Sequence, residues 1–320
     1  MNLTQAKKEL AWVLFLAFVL LFALTAPSAA GNWKEMAGMP TPVCDPSVGG
    51  INGVLYAAGG GNANSYANSV LQAFNPATKK WTTLASMPDI RNGSESGVIN
   101  SQLYVAGGWN NSVPTDTLFL YDPPSNTWSN LPTMSHLSAC GNGGVINGQL
   151  YVTSPCLGYG GLYNNLDVYN PATGIWTSLP GSSDDHSAGA GGVINGKFYV
   201  AGGQNNSGGP TATTEVYDPV ANTWTTLQPM PEPVESDPAS AVIDGKLYVF
   251  GGYNGTQAVS TVQVYDPIKN KWTTTTPSLP VATGGIQSDL VYGVAFVVGA
   301  SGSSCSTAVN DLYFQMPSIP

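Results

Sequence analysis

One sequence feature constrains this chain more than any other: a tryptophan recurs at an almost constant spacing through most of its length. Six of the eight tryptophans lie at intervals of 48, 47, 48, 48 and 48 residues. A period this regular predicts a repeat architecture, in which each unit buries its apolar face against its neighbours. The six residues are Trp33, Trp81, Trp128, Trp176, Trp224 and Trp272.

The clearest unit runs from Ala241 to Trp272 and predicts four short antiparallel strands. Two apolar runs, rich in β-branched and aromatic residues, flank the tight-turn dipeptide Asp244-Gly245 and indicate a pair of buried strands. A glycine pair ends the second strand and a polar loop follows. A third strand and the turn Asp266-Pro267 then lead to a fourth strand that holds the tryptophan.

Paired glycines, an aromatic–Asx–Pro turn and a closing tryptophan recur together, and this combination resembles the Kelch repeat family. The resemblance covers residues 33 to about 317 and implies an all-β, six-bladed Kelch-type β-propeller. The third unit departs from the pattern with Ser154-Pro155, and the sixth has Gly299-Ala300 and no closing tryptophan. Trp33 precedes any strand pair of its own, so we expect an N-terminal strand to complete the last blade and close the ring.

The N-terminal residues 1–30 predict a signal peptide, and residues 31–320 predict the propeller. A basic start, an apolar run at 10–26 and small residues at 28–30 favour cleavage after Ala30 and a secreted or periplasmic protein. The alternative is an uncleaved anchor, although the run is short for a membrane span. No later segment is apolar enough to cross a bilayer, so we expect no span in the mature chain.

The charge balance limits the partners. Only 9% of the residues are charged and the formal net charge is −9, which excludes the clustered lysine and arginine of a nucleic-acid surface. No phosphate-loop spacing follows the glycine pairs, and no metal-spaced ligand cluster is present. We therefore expect no cofactor and no metal. We also expect a monomer.

Four cysteines in an oxidising compartment allow three pairings. Cys140 and Cys156 fall on one face of the third unit, while Cys44 and Cys305 fall in corresponding loops of the first and sixth units. We predict the disulfides Cys140–Cys156 and Cys44–Cys305.

The candidate ligand site follows from aligning the units at their Ile-Asn-Gly turns. Positions eight, six and four residues before the isoleucine share one side of an extended strand, and we expect that side to face the mouth of the central channel. The loops after the glycine pairs lie on the same face. The alternative is a solvated loop rim. The candidate ligand-binding residues are Arg91, Glu95, Trp109, His186, Glu235, Asp237 and Tyr253.

Two hypotheses of function remain. The first is a secreted module that binds an extracellular protein or glycan, with no catalytic residue assigned. The second is a secreted sugar-active enzyme, since six-bladed Kelch proteins include sialic acid mutarotases of similar length. One arginine on an acidic surface suits an anionic sugar poorly, however, and a copper oxidase like galactose oxidase would need more than His136 and His186. Glu235 and Asp237 could act as an acid–base pair on a glycoside, although a solvated pair is the simpler interpretation.

Overall fold

The computed structural model describes residues 33–62, 64–111, 113–154, 164–299 and 313–315. These residues form six four-stranded antiparallel sheets arranged as an all-β propeller. Five sheets are each built from one uninterrupted repeat, and the sixth combines strands from both ends of the chain. Within the described ranges no helix has the length and apolar character needed to cross a membrane.

The first strand, β1, spans Trp33–Glu35. The five single-repeat sheets are β2–β5 (Ser47–Ile51, Val54–Ala58, Leu71–Asn75, Lys80–Leu84), β6–β9 (Glu95–Ile99, Gln102–Ala106, Leu118–Asp122, Thr127–Leu131), β10–β13 (Gly143–Ile146, Gln149–Ser154, Asn165–Asn170, Ile175–Leu179), β14–β17 (Ala190–Ile194, Lys197–Ala201, Thr214–Asp218, Thr223–Thr226) and β18–β21 (Ala239–Ile243, Lys246–Phe250, Val262–Asp266, Lys271–Thr275). The last strands are β22 (Ile286–Val291), β23 (Val294–Gly299) and β24 (Tyr313–Gln315).

The sixth sheet has the order β1-β24-β23-β22, which agrees with the predicted closure by the N-terminus. The indole of Trp33 donates a hydrogen bond to the carbonyl oxygen of Pro277 at 3.2 Å. Each of the other five repeat tryptophans likewise donates to a carbonyl oxygen of the preceding unit, at 2.7 to 3.0 Å. Trp33 therefore takes the place of the tryptophan that the last repeat lacks.

The core lies between neighbouring sheets rather than within one. Among the described residues, six apolar clusters each join two adjacent sheets, and the cluster at the seam joins Leu55 and Phe74 to Phe296 and Val298. In the five single-repeat sheets the third-strand aromatic packs on the fourth-strand tryptophan, with ring centroids 5.0 to 5.4 Å apart. The repeated aromatics are therefore structural, as the sequence predicts.

The two within-sheet turns of each unit lie together on one face, which we call the turn face. The Ile-Asn-Gly turns place Asn52 and its equivalents at positive φ, as tight hairpins require. Lysines on this face pair with aspartates of the second turn, as in Lys197 with Asp218 at 2.8 Å. The turn face is therefore uniform from unit to unit.

The cysteines do not pair as predicted at one of the two sites. Cys140 is a free thiol, so the predicted bond to Cys156 is wrong, and its sulfur instead accepts a hydrogen bond from the indole of Trp109 at 3.4 Å. Cys44 is disulfide-bonded. Its pairing with Cys305 stays a prediction, because Cys305, like Cys156, lies outside the described residues.

Candidate functional site

The mouth of the central channel, opposite the turn face, is held by a ring of backbone hydrogen bonds. Six residues before each turn isoleucine, or before Val291 in the last unit, the backbone is left-handed, with φ between 50° and 67°. At or directly after this position each unit donates an amide to the equivalent carbonyl of the preceding unit, at 2.6 to 3.2 Å. The six residues of this mouth ring are Asp45, Gly93, Cys140, Ala188, Asp237 and Gly285.

Below the mouth ring, the innermost strands surround a cavity of about 390 Å³. Glycine dominates its wall because the strands approach closely; a Cβ on Gly97, for example, would lie 2.7 Å from a methyl group of Leu150. Glu95, Asn142 and Gln287 contribute polar groups to the lining. The volume falls in the range of small-ligand sites.

Two carboxyl groups belong to the lining, those of Glu95 and Asp289. Asp289 accepts a hydrogen bond from the Gly50 amide at 2.7 Å, and burial raises its pKa. Glu95 has only 3% of its surface exposed. Its Oε1 accepts hydrogen bonds from the Ser138 hydroxyl at 3.0 Å and the Gly141 amide at 2.6 Å. Its Oε2 is buried and has no hydrogen-bond partner among the described residues. Burial raises the pKa of Glu95 to about 8, so this side chain carries a proton at neutral pH.

Asp45 and Asp237 form a hydrogen-bonded carboxyl pair in the mouth ring. They enter the first and fifth units, and Gly285 of the sixth lies between them; a Cβ there would sit 3.1 Å from an Asp45 oxygen. Burial, followed by the Asp237 charge and hydrogen bond, raises the pKa of Asp45 well above its usual range, and burial raises the pKa of Asp237 to about 6. A hydrogen bond between two carboxyl groups requires one shared proton, and because the bond from Asp45 lowers the pKa of Asp237, Asp45 is the donor.

The Cys140 thiol marks where these groups converge. Its pKa is raised by burial and by the charges of Asp237, Asp45 and Glu95. The indole of Trp109, which donates to the Cys140 sulfur, packs edge-on against Tyr66 with centroids 6.5 Å apart. The mouth therefore combines three carboxyl groups with two aromatic rings at its rim.

Glu235 and Tyr253 lie beside each other but outside the cavity lining. Their backbones pair at 2.8 and 2.9 Å on the loop face, and the side chain of Tyr253 is partly buried. Glu235 is buried, a hydrogen bond from Gln204 holds it, and burial raises its pKa. Of the predicted site residues, the structure brings Glu95, Trp109 and Asp237 together around Cys140.

Arg91 does not face the channel, which corrects the expected convergence. Its guanidinium is buried over the ring of Phe119, 5.0 Å from the centroid, and donates to Asp89 and Thr117 at 2.8 Å each. Phe119 occupies the third-strand position that holds a polar residue in the other single-repeat sheets, such as Gln72. The arginine fills the space beside this ring as a structural cation.

His186 is also turned away from the channel and is fully buried. Its Nδ1 donates to the Gly202 carbonyl at 2.8 Å, and its Nε2 faces a Glu215 carboxyl oxygen at 3.1 Å. Burial alone would raise the pKa of Glu215, but hydrogen bonds from His186 and Ser183 outweigh it, and the pKa is lowered. His186 is therefore a packing and pairing residue of the fourth unit.

Sequence reasoning missed Asp45 and Cys140 as members of the site. Both belong to the same aligned column as Asp237, and a carboxyl at two of its six positions was the available signal. Within the described ranges, no group of three or more potential ligands has the geometry to hold a metal ion.

Comparison with known proteins agrees with this architecture. Residues 144–317 match the family described as the KLHDC2/KLHL20/DRC7 Kelch-repeats domain, and residues 42–88 and 90–135 match the Kelch motif. The solved structure titled "Structure of YjhT" is similar, with a TM-score of 0.72 and 18% sequence identity over 87% of this chain and 96% of that one. At this identity the likeness concerns the fold alone.

Proposed function

Because the chain belongs to the Kelch repeat family, we propose that it is a secreted six-bladed propeller that binds a glycan at the channel mouth. One observation carries this proposal. Asp45, Glu95 and Asp237 come together beside a cavity of about 390 Å³, and Glu95 presents a buried, unpartnered oxygen. A buried polar atom of this kind gains most from a ligand that supplies the missing hydrogen-bond partner.

The chemistry of the mouth suits sugar hydroxyl groups. A carboxylate accepts hydrogen bonds and a protonated carboxyl also donates one, whereas a hydroxyl does both. Trp109 and Tyr66 supply apolar faces with low conformational entropy at the rim, on which the C–H face of a sugar ring can lie.

Secretion is part of this proposal. Residues 1–30, which carry the signal-like pattern, lie outside the described residues. The disulfide-bonded state of Cys44 supports an oxidising compartment, since such bonds are rare in the cytosol. N-terminal sequencing of the protein released into the medium or periplasm should begin at Gly31, and a protein that keeps residues 1–30 and stays with the cells would contradict secretion.

The test of binding is a printed array of oligosaccharides and extracellular proteins, probed with protein purified after expression of the full chain. We expect glycan binding that falls at least tenfold in Glu95→Gln and in Asp237→Asn. The turn-face control Lys246→Ala should bind like the unaltered protein. Binding to proteins alone, or loss only in the control, would refute a glycan site at the mouth.

A sugar-active enzyme is the second candidate, and the shared proton of Asp45 and Asp237 favours it. Such a pair can donate a proton to one oxygen of a sugar and accept one from another, which is general acid–base catalysis. Polarimetry of freshly dissolved sugars would detect faster interconversion of anomers. No acceleration over Asp237→Asn would leave binding as the function.

A further inference from the structure

The charged groups of the molecule are divided unequally between the mouth and the other surfaces. Three carboxyl groups meet at the mouth, and each lies close enough to the Cys140 thiol for its ionised form to raise the pKa of that thiol. The single arginine is buried against Phe119. One described lysine lies in β1, and the others lie in the turns of the turn face or at the strand ends next to them. Within the described ranges, therefore, no lysine or arginine faces the mouth. The described lysines are Lys34, Lys79, Lys80, Lys197, Lys246, Lys269 and Lys271.

We propose that the mouth selects an uncharged, hydroxyl-rich sugar unit and rejects sugars that carry a carboxylate. This inference rests on the glycan-binding function proposed above and names its ligand class. An anionic sugar would place its charge beside Asp237 with no arginine or lysine to balance it, and such like-charge contacts are strongly unfavourable in a partly buried site.

Glu95 supplies the independent sign that a ligand belongs here. It is 97% buried, given its 3% exposure, and its unpartnered Oε2 belongs to a residue that lines the cavity. Because burial keeps Glu95 protonated, it offers a hydroxyl that can both donate and accept.

The same protonation argues against a cationic ligand. Because burial raises the pKa of Glu95 to about 8 and a proton is shared between Asp45 and Asp237, the mouth presents hydrogen-bond donors as well as acceptors. A sugar hydroxyl matches this mixture, whereas an ammonium group only donates. The occupant that fits is therefore a neutral sugar.

The first experiment compares matched neutral and acidic sugars on the protein purified from full-chain expression. The probes are lactose with 3′-sialyllactose, and galactan oligomers with galacturonic acid oligomers, with glucosamine oligomers as the cationic case. We expect the neutral member of a pair to bind roughly tenfold or more tightly than the acidic one. In Asp237→Asn the affinities for the neutral and the acidic member of a pair should differ by no more than about threefold.

The outcomes separate the two proposals. An acidic or glucosamine probe that binds as tightly as its neutral counterpart overturns the selectivity and leaves glycan binding standing. No binding to any probe or to any arrayed glycan overturns both.

A second readout needs no sugar, because Cys140 reports the local charge. Iodoacetamide is neutral and iodoacetate is anionic, and both alkylate thiols. Peptide mass spectrometry measures both alkylation rates at Cys140. The rate with iodoacetamide divided by the rate with iodoacetate should be at least fivefold larger in the folded protein than in the denatured protein. Asp237→Asn should reduce this excess. Equal ratios in the folded and denatured protein would show that the mouth does not repel anions, and would overturn the selectivity whether or not a glycan binds.

Discussion

Two sets of residues precede the turn isoleucines, and they lie in different environments although they are only two residues apart. We call the set eight residues before the isoleucine (Val291 in the last unit) the outer column: Val43, Arg91, Ser138, His186, Glu235 and Thr283. The set six residues before it is the mouth ring. The outer column, which contains Arg91 and His186, packs between the sheets against third-strand residues such as Phe119 and Glu215. The mouth ring, which contains Asp45 and Asp237, lies at the opening of the channel. The left-handed backbone at the mouth ring interrupts the extended strand, so the alternation with a period of two stops there.

This difference separates residues that stabilise from residues that can bind. A charged group in the outer column has its partners within the protein, and removing it should lower stability without affecting a ligand. The carboxyl groups of the mouth ring have pKa values that burial raises. Replacing one of them should therefore change ligand binding and the pH dependence of that binding. Three substitutions within these two sets test this division, and a fourth tests Glu95, which lies two residues after the mouth ring.

The largest effect is expected for His186→Ala in the outer column. Removing the imidazole leaves the Glu215 carboxylate buried without its ring partner, so we expect the free energy of unfolding to fall by about 3–5 kcal/mol. Urea denaturation measures this loss. The double variant His186→Ala/Glu215→Gln should recover part of it, and glycan binding by the folded fraction should persist. A normal stability with lost binding would reassign His186 to the ligand site.

The second effect concerns Glu95 and pH. Because the pKa of Glu95 is about 8 in the folded protein and near 4.5 when unfolded, its contribution is full below pH 4.5 and is lost as the pH rises through about 8. Each unit of pKa difference corresponds to about 1.4 kcal/mol. In urea denaturation from pH 4.5 to 9, Glu95→Gln should lose stability with rising pH less steeply than the unaltered protein, and should exceed its stability above pH 8. Parallel curves would contradict the raised pKa.

A smaller loss is expected for Arg91→Met, which keeps a long apolar side chain over Phe119 but removes the bonds to Asp89 and Thr117. Hydrogen bonds from a charged group contribute about 1.5–3 kcal/mol, and Asp89 is exposed, so we expect a loss of about 2 kcal/mol. The control Lys269→Met, whose side chain is 72% exposed, should change stability by less than about 0.5 kcal/mol. Weaker glycan binding in Arg91→Met at unchanged stability would place the arginine at the mouth.

The smallest effect should come from Gly285→Ala compared with Gly245→Ala. Both glycines have φ near 70°, so each alanine should cost about 1 kcal/mol from backbone strain. Only at Gly285 does the new Cβ meet a neighbour, 3.1 Å from Asp45, whereas around Gly245 nothing lies within 4 Å. We expect similar thermal stability for the two variants and weaker glycan binding for Gly285→Ala alone. Equal binding would indicate that the Asp45–Asp237 pair tolerates displacement.

The sequence by itself was enough to predict the parts of the fold that each repeat unit contains. The tryptophan period, the paired glycines and the orphan Trp33 predict the strands, the turns and the pairing of β1 with β24, because each depends on neighbours within one unit or the next. Glu95, Trp109 and Asp237 were also predicted at the mouth, since alignment of the units places them on the loop face.

Only the tertiary structure decided which side chains meet around the channel. Asp45 and Asp237 come from different units and touch because the ring closes and because Gly285 leaves room between them. Arg91 turns outward because the backbone changes to left-handed two residues later, at Gly93, whereas His186 is itself left-handed, with φ of 57°. Neither residue type carries a mark of that backbone change. Local repeats determine the scaffold, whereas the composition of the mouth depends on contacts between residues that are distant in the chain.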